Sequence, residues 1–155
     1  MSGPPAMLPP IGLRLARTAR VVTQAFERAM AQAGGSVSLW QVLLLVRSRN
    51  WDTQSLMAEA MGVTNATLTH HLNAAERQGL VRRWREPDNR RVQRVELTPE
   101  GVAMFERLRG VAMRHDQRLR APFTEAEVEQ LAELLDRIRQ TVEAPQAEAS
   151  PEHQA

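Results

Sequence analysis

The side chains best suited to chemistry in this sequence are short, polar and close together. Thr64, Asn65, Thr67, Thr69, His70 and Asn73 fall within ten positions, and their hydroxyl, amide and imidazole groups both donate and accept hydrogen bonds. Six arginines follow within thirteen positions: Arg82, Arg83, Arg85, Arg90, Arg91 and Arg94. Cations crowded into so short a stretch repel one another on a free surface, whereas a nucleic-acid backbone rewards each by releasing counterions. The polar groups beside them suit base edges and phosphate oxygens. Catalysis finds no such support. No nucleophile, base and orienting group can be assembled, and there is no glycine-rich phosphate loop, so no enzyme is expected. The chain has no cysteine, which excludes thiol redox sensing. His70 and His71 are adjacent and point apart on a helix, and His115 and His153 have no neighbour at ligand spacing. Neither a metal nor another cofactor is expected.

These groups need a frame, and hydrophobic spacing supplies one. Ile11, Leu15, Val22, Phe26 and Met30 recur at helical intervals in a helix that ends at Gly34-Gly35. Ser38 with Gln41 forms a capping-box pattern opening a second helix through Leu39, Val42, Leu43 and Val46. Thr53 caps a short third helix, Gln54 to Met61, stopped by Gly62; Thr64 caps a fourth, from Asn65 to about Gln78, closed by Gly79. Two helices joined by so few residues cross sharply, which is helix-turn-helix geometry. Leu80–Arg85 and Val92–Leu97 then read as the strands of a hairpin around Glu86–Arg91, with Val95 and Leu97 on one face and Arg94 and Glu96 on the other. Thr98-Pro99 opens a long helix with Val102, Phe105, Leu108, Ala112, His115 and Leu119 in one stripe. Pro122 ends it, and a second capping box, Thr124 to Glu127, starts a last helix striped by Val128, Leu131, Leu135, Ile138 and Val142.

The fold class expected is therefore mainly α, a winged helix-turn-helix with one β-hairpin and with flanking helices at both ends of the chain. A single domain is expected over residues 11–143, with its DNA-binding part at about 38–98 and dimerisation helices at about 11–33 and 99–143. Residues 1–10 and 144–155 are expected to be disordered tails. Net charge is +2, but its distribution matters more: +5 over residues 1–51, −2 over 52–79, +4 over 80–95 and −5 over 96–155. The basic hairpin faces an anion, and the acidic C-terminal third does not. No run reaches the roughly 18 apolar residues of a membrane span, and the first ten residues lack a signal-peptide core, so a cytoplasmic location with no membrane partner is expected.

The residues from Gly34 to Gly101 resemble the MarR family of bacterial regulators. The likeness is carried by Leu56-Met57-Ala58, Gly62-Val63-Thr64, Glu76, Gly79-Leu80-Val81, Arg90-Arg91 and Leu97-Thr98-Pro99-Glu100-Gly101. It implies a homodimer that binds a pseudo-palindromic DNA operator, with helices from both chain ends interlocked. It also implies a repressor released by a small aromatic or phenolic ligand, for which Arg14, Trp40, Met113 and His115 are the candidate pocket residues. The family's wing carries Asp-x-Arg eight residues before Leu-Thr, which places Asn89 at the acid position and Arg91 at the arginine that enters the minor groove. Arg91, together with Arg90 and Arg83, completes the expected DNA contacts. Two other readings fit the same residues: a helical dimerisation or protein-interaction module with an incidental basic hairpin, and a winged protein that binds RNA.

Overall fold

Eight elements follow one another in the computed structural model, which describes residues 10–48, 54–85, 87 and 93–144. They are α1 (Ile11–Gln32), α2 (Val37–Ser48), α3 (Gln54–Met61), α4 (Asn65–Arg77), β1 (Val81–Arg85), β2 (Gln93–Leu97), α5 (Pro99–Arg120) and α6 (Glu125–Glu143). The expected tails, the Thr53 cap and the hairpin tip with Asn89, Arg90 and Arg91 lie outside the described residues. The described chain forms two compact units that divide between His115 and Asp116.

The core lies in the first unit. Met30 of α1, Val42, Leu43 and Val46 of α2, Met57 and Ala58 of α3, and Leu68, Leu72 and Ala75 of α4 are buried with Leu80, Val81, Phe105, Leu108 and Val111. Full burial of a Leu side chain contributes roughly 1.5–3 kcal/mol. The fully covered Leu68 and Leu72 therefore fix which face of α4 turns inward. Gly62 makes the turn between α3 and α4. Its φ of +67° lets the amide of Val63 donate back to Ala58 at 3.0 Å, closing α3 before Thr64 opens α4.

β1 and β2 pair antiparallel, with Val81 opposite Leu97, Arg83 opposite Val95 and Trp84 opposite Arg94. Thr98 fastens this hairpin to the end of α4. Its amide donates to the Leu80 carbonyl at 3.1 Å, its hydroxyl donates to the Gly79 carbonyl at 2.5 Å, and the same hydroxyl accepts from the Gly101 amide. Gly101 completes the join, because a Cβ there would lie 1.9 Å from the Leu80 carbonyl oxygen.

Two expectations are corrected. The cap of α2 is Ser36, not Ser38: the Ser36 hydroxyl accepts from the Leu39 amide at 3.0 Å, and Val37 is already helical. On α5 the buried stripe is Gly101, Phe105, Leu108 and Val111, whereas Val102 and Leu119 are exposed. In the second unit, α6 carries the expected capping box and buries none of its side chains.

Candidate nucleic-acid interface

Burial of Leu68, Leu72 and Ala75 on one face of α4 leaves Ala66, His70, Asn73 and Arg77 on the opposite stripe, at helical spacing. His70 and Arg77 are exposed and Asn73 is half-buried. Thr64 is spent first on the helix itself: its hydroxyl accepts from the Thr67 amide at 3.1 Å and lies 2.9 Å from the Thr67 hydroxyl. Asn65 reaches back across the turn and donates from Nδ2 to the Ser55 hydroxyl at 3.3 Å. Thr69 is half-buried on the flank of the stripe. The free N–H groups of the first α4 turn lie beside these short side chains, an arrangement suited to phosphate.

The arginines are less exposed as charges than their number suggests. Arg82 pairs with Glu96 across the hairpin, and its guanidinium lies 5.2 Å from the centre of the Trp84 ring. Arg83 turns inward: Nε and Nη2 donate to Glu76 Oε2 at 3.0 and 2.5 Å, and Nη2 also donates to Asn73 Oδ1. Its side chain is only 14% exposed. The Arg83 hydrogen bond beside Glu76 holds that carboxyl below the usual carboxylate range. Mutual repulsion among six arginines thus overstates the case, since Arg82 and Arg83 are each matched by a carboxylate. Arg83 and Asn73, expected as separate contacts to DNA, are bonded to each other.

The four pocket candidates do not converge. Trp40 stacks on Phe105 at 5.2 Å, while His115 stacks on Phe26 at 4.9 Å. Phe105 and His115 are ten residues apart on α5, about 15 Å along its axis. Arg14 and Met113 are exposed. His115 differs from the rest in that its Nε2 is buried with no hydrogen-bond partner among the described residues. Two clefts are lined by other side chains. One of about 240 Å³ lies between Gly34–Ser36 and His71, Ala74 and Gln78 of α4; one of about 340 Å³ lies among Arg47, Glu96, Leu97 and Val102. No group of His, Asp and Glu able to hold a metal occurs among the described residues.

Residues 36–92 match the family model described as the MarR family. The chain is 31% identical over 137 residues to a transcriptional regulatory protein assigned to the hcr operon of Thauera aromatica, covering 87% of this chain and 82% of that one. The chain belongs to the MarR family. Two solved structures share its fold. CouR bound to a 23-mer DNA duplex superposes with a TM-score of 0.73 at 27% identity, over 84% of this chain and 92% of that one. CouR from Rhodococcus jostii RHA1 bound to p-coumaroyl-CoA gives 0.71 at 24% identity, over 87% and 95%.

As a MarR-family protein the chain is a DNA-binding transcriptional regulator with a winged helix-turn-helix, and among the described residues no single helix is long and apolar enough to cross a membrane. Two residues near the interface were not singled out from sequence. Arg77 shares the outer stripe of this MarR protein's α4, and its place seven residues after His70 was a readable signal. Trp84, 39% exposed on the outer hairpin face, was hidden because the first strand does not alternate cleanly.

Proposed function

We propose that this MarR-family protein is a homodimeric repressor that binds a pseudo-palindromic operator and is released by a small aromatic or phenolic effector. The observation that carries the DNA half is the outer stripe of α4, joined through Arg83 to an arginine-bearing hairpin. Thr64, Asn65 and Thr67 stand where helix N-terminal groups meet phosphate, while Thr69, His70 and Asn73 lie further along, toward base edges. Arg91, with Arg90 beside it in sequence, is the candidate for the minor-groove contact that the family's wing arginine makes. Arg83 serves as a brace within the protein.

The effector half is supported by CouR, described with p-coumaroyl-CoA, and by His115. An aromatic face at Phe26 beside one unmet, buried nitrogen suits a ring that carries a hydroxyl or carboxylate. Arg14, Trp40 and Met113 lie away from that pair and are lesser candidates. Bound sequences selected from a random duplex pool should converge on an inverted repeat. Aromatic acids and their coenzyme A thioesters should then release the selected duplex from wild type but not from His115→Leu. A broad panel that neither releases DNA nor raises the melting temperature contradicts the effector reading.

A further inference from the structure

We infer that Asn73 reads a keto base, guanine or thymine, and that Arg83 imposes this choice on it. The inference rests on the DNA-binding reading above. An asparagine that can turn freely presents an acceptor and a donor together, which matches adenine N6 and N7 in the major groove. Asn73 cannot turn in that way. Its Oδ1 accepts from Arg83 Nη2, and the same guanidinium is held by Glu76 through Nε at 3.0 Å and Nη2 at 2.5 Å. The Arg83 side chain is almost enclosed, so it has little room to leave. A guanidinium has five N–H donors and no acceptor, and rotating the amide to face it with Nδ2 would set donor against donor.

With one Oδ1 lone pair taken by Arg83, the part of the Asn73 amide wholly unengaged by that bond is its Nδ2 amino group, on a residue of the stripe that also holds His70 and Arg77. Two N–H donors meet acceptors on guanine, at O6 and N7, and on thymine, at O4. Adenine offers one acceptor, N7, beside an N6 donor that opposes the second N–H, and cytosine offers only its N4 donor. Arg83 is then a positioning residue that acts through Asn73, itself fixed by Glu76. It need not touch DNA to set which base is preferred.

Sites are selected from a random duplex pool by the full-length wild type and by Asn73→Ala, Asn73→Asp, Arg83→Leu and Arg83→Lys, with melting temperatures measured alongside. The operator position whose preference vanishes in Asn73→Ala is the one Asn73 reads. There the wild type should favour guanine or thymine over adenine or cytosine by roughly tenfold. Asn73→Asp keeps an acceptor for Arg83 but has no N–H, so it should lose the preference as fully as Asn73→Ala. Arg83→Leu should admit adenine at that position alone, and Arg83→Lys, which retains a donor, should keep adenine out. Adenine as the wild-type choice, an unchanged preference in Arg83→Leu, or no position sensitive to Asn73→Ala overturns the inference. Should Arg83→Leu fail to fold, Asn73→Asp decides alone, and a preference retained there overturns it. A wild type that enriches no duplex at all defeats the DNA-binding reading and this inference together, whereas the other failures defeat the inference only.

Discussion

Gly101 packs against backbone, and that makes it the least replaceable residue in the join between hairpin and helix. An added methyl group would sit 1.9 Å from the Leu80 carbonyl oxygen, which is itself held by the Thr98 amide. No flexible side chain can move aside to relieve the overlap. Gly101→Ala should therefore destabilise the protein by about 3 kcal/mol or more, seen as a lowered denaturation midpoint. A loss under about 1 kcal/mol would mean that α5 can shift away from Leu80 without penalty. Thr98-Pro99 was legible in the sequence because its meaning is local, a cap followed by a proline in the first turn. The bond between Arg83 and Asn73 was not legible in the same way. It joins residues ten apart through a turn whose geometry only the packed fold decides.

Helix ends show the same division at the next scale. Thr124 and Glu127 close a reciprocal cap on α6, with the Thr124 amide donating to Glu127 at 2.8 Å and the Glu127 amide donating to the Thr124 hydroxyl at 3.3 Å. The pattern is short in sequence and was readable. At α2 the spacing of Ser38 and Gln41 matches a capping box, yet the helix has already begun at Val37, and Ser36 takes the role without an acidic partner. Thr124→Ala should cost about 1 kcal/mol in denaturant unfolding. The bond from the Thr124 amide holds the Glu127 carboxyl below its ordinary range, as the Arg83 bond does for Glu76. A carboxyl depressed on folding contributes stability that is present above its unfolded pKa and is lost as pH falls through the folded value. Melting temperature should accordingly drop on acidification below the ordinary carboxylate range, and the drop should be smaller in Thr124→Ala. A wild-type melting temperature that is flat or rising over that range would contradict the assignment.

At the scale of the whole molecule, α6 presents Leu131, Leu134, Leu135, Ile138 and Val142 exposed, with no side chain of the helix buried. An apolar stripe of this length calls for a covering surface, and in a family of symmetric regulators a second copy of the chain supplies it. Replacing Leu135 and Ile138 together by Glu should yield a monomer in sedimentation and weaken operator binding, since each half-site is then bound separately. A wild type that sediments as a monomer at micromolar concentration would contradict the dimer.

The DNA-binding reading at the centre of the account is tested most directly by equilibrium binding of wild type and Arg91→Ala to the selected operator, and to a scrambled duplex, across a range of salt. Affinity for the operator should exceed that for the scrambled duplex by at least about 10³-fold and should fall steeply as salt rises. Arg91→Ala should reduce the salt slope by about one. Equal affinity for the two duplexes, or operator binding that does not change with salt, would contradict it.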